Sequence, residues 1–370
     1  MPAISAATTC PAVDVYHATR GRSSAGRRHR PVGRGPWSLR GGRLGRLILG
    51  FAISLTAVGC AAASGNDAAG TNHPTSGPAA SAPDPAGHGT GSSQHTPIRV
   101  LASTDVYAAI ARQIGGDAIT VTAILDRPDA DPHSFEATPR TALEVSQAAL
   151  MIVNGGGYDD FTTHLLAVAN PKPEVIDAVE VSGLDAAGSD VNSADFNEHV
   201  FYDLPAMAAL GTRIAERLAR IDPSAAGTFS RNAAAFTTAL DGLQSRATAI
   251  SATQPHVKAV VTEPVADYLL TAAGITDVTP HGFAQAIENE TDPSVKDTAA
   301  VESLLASGSV RLLVYNVQTT GPVTDRVKAA AIAAGVPVVG VSETLPAGVP
   351  DYPSMIGAVL AAIDHALTTV

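Results

Sequence analysis

The chain has 370 residues, which is enough for two domains or one large one, and its hydrophobic content of 45% allows a packed core. Nine of the 24 basic residues and one of the 35 acidic residues lie in the first 60 positions, so residues 61–370 carry 15 basic and 34 acidic residues, a net charge of −19. A body this acidic argues against binding to nucleic acid or to an anionic lipid surface. The charge is compatible with a cation ligand, although a need for solubility explains it equally well.

The N-terminal segment has the composition of an export signal. An arginine-rich stretch precedes an apolar run from Leu47 to Val58. As a helix, this run would rise only about 18 Å, whereas a bilayer core is roughly 30 Å thick. A charged segment followed by a short apolar run is typical of a signal peptide. We therefore interpret residues 1–59 as a leader.

The leader ends in a sequence that resembles a bacterial lipobox, Leu55-Thr-Ala-Val-Gly-Cys60. The resemblance implies that Cys60 receives a diacylglycerol and becomes the mature N-terminus. The protein is then expected on the outer face of the cell membrane. Cys10 is the second of the two cysteines, and the distance between them excludes a CxxC metal or redox motif.

Residues 60–96 form the next segment, which is composed mainly of Ala, Gly, Ser, Pro, Thr and Asn. Such a composition cannot bury enough apolar surface to offset the entropy lost on ordering. We interpret this segment as a flexible tether behind the lipidated cysteine.

Two blocks of alternating strand and helix patterns follow. In the first block, β-branched runs predict strands and Ala/Leu-rich segments predict helices: strands at 98–101, 119–125 and 150–154, and helices at 106–114 and 138–147. In the second block the same patterns predict strands at 257–262, 310–315 and 336–341, and helices at 265–273, 322–334 and 354–367. This alternation favours an α/β fold of two (β/α) lobes with parallel sheets.

A long helical pattern separates the two blocks. Residues 203–250 have helical periodicity with one interruption at Ile221-Asp-Pro-Ser224, and the uninterrupted part after Ala225 would span about 39 Å. We therefore predict an N-terminal lobe at 97–221, a connecting helix at 222–254 and a C-terminal lobe at 255–370.

Four side chains in distinctive local contexts are candidate metal ligands. His133 lies in the loop Asp131-Pro-His133-Ser-Phe-Glu136, and His199 precedes a predicted helix. Glu263 and Glu343 each follow a predicted strand of the second block, and ligands of open parallel sheets bind outside the carboxyl ends of the strands. Two imidazoles and two carboxylates would form a charge-neutralising shell around a divalent cation. Each residue also has an ordinary structural explanation, such as a surface histidine or a helix-capping carboxylate.

Six segments of the chain, in order, resemble the solute-binding lipoproteins of zinc- and manganese-uptake ABC importers. They are DPHSFEATPR (131–140), MIVNGGGYDDF (151–161), EHVFYD (198–203), TEPVADYLLTAAGI (262–275), ENETDPS (288–294) and VSETLPAG (341–348). The resemblance covers about 97–370. It implies two lobes bridged by one long, rather rigid helix, with a metal site in the cleft between the lobes.

Residue by residue, the resemblance implies that His133, His199, Glu263 and Glu343 are the four metal ligands. The third position is His in some members and Glu in others, and the fourth is usually Asp. A Glu at the fourth position has one more methylene, so its reach and denticity differ. The ligand set leaves zinc and manganese both open, because nitrogen ligands favour zinc and oxygen ligands suit manganese.

Other features receive a structural interpretation. Gly155-Gly-Gly157 lacks the spacing of a phosphate-binding loop and is interpreted as a tight turn between strand and helix. Glu288, Glu290 and Asp292 could approach the cleft, but we interpret them as an exposed acidic loop.

The resemblance implies a monomer that delivers its ion to the permease and ATPase subunits of an importer, without catalytic activity. One alternative is a zinc-dependent hydrolase at the cell surface, which would need an open coordination position and a general base. The sequence contains neither HExxH nor GxSxG. A metal-containing adhesin is the other alternative, and the sequence does not exclude it.

Overall fold

A computed structural model describes residues 96–127, Phe135, 137–184 and 196–369, together with the backbone of Val15–Tyr16 (β1). Three predicted features lie outside the described residues: Cys60, the tether as far as residue 95, and His133. Within the described part of the chain, no helix has the length and the hydropathy that crossing a bilayer requires.

The first sheet has four parallel strands in the spatial order β3-β2-β4-β5. Its strands are β2 (Ile98–Thr104), β3 (Ile119–Leu125), β4 (Leu150–Val153) and β5 (Glu174–Asp177). The helices that follow these strands are α1 (Asp105–Gly115), α2 (Pro139–Gln147), α3 (Phe161–Val168) and α4 (Ala178–Ser182). The three strands predicted in this lobe are confirmed, and β5 is an additional short edge strand.

Two consecutive helices connect the lobes. The helix α5 (Leu204–Ile221) ends at Asp222, whose side chain accepts a hydrogen bond from the Ser224 backbone and starts the next helical segment. A 3₁₀ turn at Pro223–Ala225 then leads into α6 (Ala226–Thr253). The predicted interruption therefore separates two helices, and α6 alone is about 42 Å long.

The helix α6 packs against both lobes through one apolar stripe. Its buried residues alternate at spacings of three and four, which keeps them on one helix face: Phe229, Ala233, Phe236, Leu240, Leu243, Ala247 and Ile250. The helix α6 contacts α1 and α5, and in the second lobe it contacts α7 (Asp267–Ala272) and α11 (Tyr352–Thr368).

The second sheet has the order β1-β9-β8-β6-β7, with β1 antiparallel to β9 and all other pairs parallel. Its remaining strands are β6 (Val257–Val261), β7 (Ile275–Asp277), β8 (Leu312–Asn316) and β9 (Val338–Val341). The helices of this lobe are α7 (Asp267–Ala272), α8 (His281–Glu288), α9 (Val295–Ala306), α10 (Pro322–Ala334) and α11 (Tyr352–Thr368). The predicted helix at 265–273 was wrong at its start, where Pro264–Ala266 forms a 3₁₀ turn.

One apolar cluster extends through both lobes. It contains Val100 of the first sheet, Phe236 of α6, and Val261 and Ile363 of the second lobe. Successive strand residues point to opposite faces of a sheet, so the neighbouring positions Leu101 and Val260 pack into two smaller outer clusters. The inner faces of the two sheets thus share their hydrophobic core with the long helix.

Candidate metal site

The carboxyl edge of the second sheet brings Glu263 and Glu343 together. Glu263 lies two residues after β6 and Glu343 two residues after β9, and β8 lies between those strands. Asn316, the last residue of β8, donates hydrogen bonds from Nδ2 to Glu263 Oε2 at 2.6 Å and to Glu343 Oε1 at 2.8 Å. All three residues are buried. Two carboxylates from separate strands are therefore linked by one neutral amide.

Burial and nearby negative charges disfavour the ionised form of Glu263. Burial, followed by the negative charges of Glu288 and Glu343, raises the pKa of Glu263 to about 8, although hydrogen bonds from Asn316 and Thr319 lower it. Burial of several acidic groups in one region disfavours their ionised forms. A bound divalent cation would reverse that preference, because it attracts both carboxylates.

His199 lies just before the 3₁₀ turn Val200–Tyr202 and is fully buried. Its Nδ1 is 2.8 Å from Asn197 Oδ1, and Asn197 Nδ2 donates to the carbonyl oxygen of Pro264 at 2.9 Å. Because the amide of Asn197 uses its nitrogen on Pro264, its oxygen faces the imidazole, and Nδ1 of His199 must carry the proton. Nε2 is then the basic nitrogen, which is the arrangement that orients metal-binding histidines.

Asn197 also ties His199 to the second lobe. Pro264, which accepts from Asn197, directly follows Glu263 in the chain. The Tyr268 hydroxyl donates to the carbonyl oxygen of Asn197 at 2.7 Å. The segment that presents His199 is thereby fixed against the segment that presents Glu263.

Tyr158 is a buried aromatic residue that lies close to both His199 and Glu343. Its ring centroid is 5.6 Å from that of His199 in an edge-on arrangement. Burial and the charge of Glu343 raise the pKa of Tyr158 well above its ordinary value. Tyr158 was not among the residues predicted from the sequence to lie at the site.

The glycine turn before Tyr158 fits its predicted role as a tight connection between strand and helix. Gly155, Gly156 and Gly157 have φ values of 79°, 64° and 95°, and a Cβ at Gly155 would collide with the carboxylate of Asp177. Asp159 accepts hydrogen bonds from the backbone nitrogens of Asn154 and Gly155 at 2.6 and 3.0 Å. This turn is what brings Tyr158 to the site.

Glu288 is a site residue that the sequence interpretation placed wrongly. Its side chain is only 9% exposed, and its Oε1 lies 3.6 Å from His199 Nε2. Potential ligand atoms of Glu198, His199 and Glu288 all lie within 4.8 Å of one another. Glu290 and Asp292 are exposed, as expected for the acidic loop. Glu288 differs from them because it ends α8, whose buried residues Phe283 and Ile287 anchor it in the core.

The described residues thus bring three of the four predicted ligands into one region. Glu263 and Glu343 share the amide of Asn316, and His199 is connected to them through Tyr158 and Glu288. The fourth, His133, lies outside the described residues, and its assignment stays a prediction. Nearby Phe135 packs against Phe161 with ring centroids 4.7 Å apart.

Comparison with known proteins decides the family. The family model described as zinc-uptake complex component A, periplasmic, matches residues 100–366. The chain belongs to this family. The description of the family names a component of a zinc-uptake complex.

Curated relatives and solved structures agree with this membership. The chain is similar to the metal ABC transporter substrate-binding lipoprotein SsaB of Streptococcus sanguinis, with 31% identity over 163 residues, or 42% of this chain and 52% of SsaB. It is also similar to the manganese ABC transporter substrate-binding lipoprotein scaA of Streptococcus gordonii, with 26% identity over 42% of this chain and 52% of scaA. The chain spans about half the length of the curated relatives it matches.

Among solved structures, the periplasmic zinc-binding protein TroA of Treponema pallidum superimposes with a TM-score of 0.63 and 18% identity, over 74% of this chain and 99% of TroA. At this identity the likeness shows the fold. It confirms the predicted architecture of two lobes with parallel sheets joined by a long helix.

Proposed function

We propose that this protein captures a divalent transition-metal ion, zinc or manganese, outside the cytoplasm and delivers it to an ABC importer. The observation that carries the proposal is the paired carboxylate arrangement of Glu263 and Glu343 on Asn316, connected to the oriented imidazole of His199. The names of two similar proteins, the metal ABC transporter substrate-binding lipoprotein SsaB and the manganese ABC transporter substrate-binding lipoprotein scaA, support the same role.

The proposed ligands are His133, His199, Glu263 and Glu343. Two neutral imidazoles and two carboxylates balance the charge of a divalent ion, which lowers the cost of burying it. Four protein ligands also fill a tetrahedral shell and leave no position for a reactive water. The proposed role is therefore capture and transfer of the ion without chemical conversion.

In this proposal, the other segments of the chain allow the protein to deliver the ion to the importer. Residues 1–59 direct export, Cys60 carries the lipid, and the tether to residue 96 lets a monomeric binding body reach the permease. The lobes at 97–221 and 255–370, joined by 222–254, hold the ion, and the permease and its ATPase subunits complete the importer.

Metal content is the direct test of the proposed function. We expect protein purified from metal-replete medium to contain about one equivalent of a transition metal by elemental analysis. A chelator should remove that ion, and added zinc or manganese should restore it in competition experiments. Protein that retains no metal, and binds neither ion at micromolar concentration after chelation, would contradict the proposal.

Membrane attachment is expected to depend on Cys60. Replacing Cys60 with alanine removes the thiol that would be acylated, so the protein should no longer be processed to a lipidated form in the membrane fraction. Cell fractionation and mass spectrometry of the N-terminus measure this. The matched control is Cys10→Ala in the leader, which should leave attachment unchanged. Unaltered membrane attachment of the Cys60→Ala variant would overturn the assignment of the anchor.

A further inference from the structure

The carboxylate of Glu288 lies beside the nitrogen of His199 that is available to bind an ion. Glu288 Oε1 is 3.6 Å from His199 Nε2, which is too long for a hydrogen bond between these two atoms. Two ligands that are each ~2.1 Å from one ion, at a tetrahedral angle, lie about 3.4 Å from each other. The two atoms therefore have nearly the separation of two ligands of a single transition-metal ion.

The position of Glu288 is set by the helix that it ends. Phe283 and Ile287 of α8 are buried in the second lobe, which draws the end of the helix inward. The chain then turns sharply, because the backbone nitrogen of Glu290 donates to the carbonyl oxygen of Ile287 at 2.9 Å. The side chain of Glu288 is thus 9% exposed, whereas Glu290 is exposed. The packing of α8 separates Glu288 from the acidic loop that follows it.

Glu288 is also close to other acidic groups of the site. Its negative charge is, after burial, the largest cause that raises the pKa of Glu263. Ligand atoms of Glu198, His199 and Glu288 lie within 4.8 Å of one another. Carboxylates held this close repel each other, and a divalent cation bound among them replaces this repulsion with attraction. The charge distribution around Glu288 therefore favours a bound cation.

We propose that Glu288 is a ligand of the captured ion and binds it through Oε1 next to Nε2 of His199. This inference rests on the proposed function and adds one carboxylate oxygen to the ligands proposed above. The ligand set implied by the sequence resemblance does not contain Glu288. Neither helix α8 nor the segment of His199 has to move, because the two ligand atoms already have the required separation.

The experiment compares the wild type with Glu288→Gln. Dissociation constants for Zn²⁺ are measured by competition with a chelator. Co²⁺-loaded protein is examined by visible absorption, which responds to the number and kind of ligands. An amide is a poor ligand without charge, so we expect the affinity of Glu288→Gln for Zn²⁺ to fall at least about 10-fold, or about 1.4 kcal/mol. We also expect its Co²⁺ spectrum to differ from that of the wild type.

Glu288→Asp separates coordination from a general effect of charge. Aspartate keeps the negative charge but is one methylene shorter, which withdraws the carboxylate from the ion. We expect Glu288→Asp to lose Zn²⁺ affinity to a similar extent and to have a changed Co²⁺ spectrum. This variant also tests the inference if Glu288→Gln does not fold.

Glu290→Gln is the matched control, because it removes the same charge two residues later in the chain, where the side chain is exposed. Its Zn²⁺ affinity and Co²⁺ spectrum should be those of the wild type. A loss of affinity in Glu290→Gln as large as that in Glu288→Gln would overturn the inference, because the effect would then come from the charge of the loop.

Three further outcomes would overturn the inference without touching the proposed function. The first is wild-type affinity in Glu288→Asp, which indicates that only the charge matters. The second is an unchanged Co²⁺ spectrum in Glu288→Gln. The third is unchanged or tighter binding of Zn²⁺ by Glu288→Gln, as expected if Glu288 contacts His199 only until the ion displaces it. A wild-type protein that binds no transition metal would instead contradict the proposed function itself.

Discussion

Replacing His199, Glu263 or Glu343 with alanine is expected to weaken metal binding by at least about 10-fold for each residue, about 1.4 kcal/mol or more. Each change removes one ligand and disturbs the charge balance of a buried site. His133→Ala should have the same effect if His133 is the remaining ligand. Isothermal titration or chelator competition with Zn²⁺ and Mn²⁺ measures the change.

Controls for these substitutions are a histidine and an acidic residue that lie outside the site. His164 is exposed on α3, and Asp292 is exposed in the acidic loop after α8. His164→Ala and Asp292→Asn should bind metal like the wild type. If these controls lose as much affinity as the four ligand variants, the assignment of the ligands is wrong.

Raising the pH from about 6 to about 8.5 is expected to lower the thermal stability of the metal-free protein and to strengthen its binding of metal. Burial is the first cause that raises the pKa of Glu263 to about 8 and that of Asp267 to about 7. Unfolded carboxyls titrate near pH 4. Between these pKa values, the folded metal-free state therefore binds protons that the unfolded state has lost. The free energy of unfolding is greatest at low pH and falls as the pH rises through the pKa values of the folded state.

The affinity for metal should rise with pH, whereas the stability of the metal-free protein falls. A coordinating carboxyl must lose its proton and a coordinating imidazole must be neutral, so protons compete with the ion. Melting temperatures measured with a chelator and with saturating zinc, across this pH range, should diverge as the pH rises. Glu263→Gln removes the group with the higher of the two pKa values. The melting temperature of the metal-free variant should therefore fall less above pH 7 than that of the wild type. A metal-free melting temperature that rises over this interval would contradict the prediction.

Much of the fold followed from local patterns, because buried parallel strands and amphipathic helices have distinct periodicities. The strand at 119–125 and the helix at 322–334 have the predicted bounds. The elements that were missed are short or weakly patterned. The strand β7 has only three residues, and α9 has buried positions too sparse to stand out in the sequence. Their structure depends on neighbours that are distant in the chain.

The part of the candidate site that lies at the ends of strands could be predicted from the sequence. Glu263 and Glu343 were identified because both follow strands, and the parallel sheet places those ends side by side. Asn316 was missed, although it occupies the equivalent position on β8, because the predicted strand stopped at Tyr315 and asparagine is common in turns. Glu288 was placed in an exposed loop because the residues that follow it, 289–292, are polar and exposed, whereas the packing of α8 carries Glu288 inward.

The apolar cluster shared by the two lobes and α6 has a consequence for how the molecule unfolds. Removing either lobe would expose the stripe of Phe229, Phe236 and Leu240 as well as the inner face of the remaining sheet. We therefore expect the two lobes to unfold together, because loss of structure in one exposes apolar surface of the other. An ion that binds a few side chains at the strand ends is then expected to raise the unfolding temperature of both lobes together.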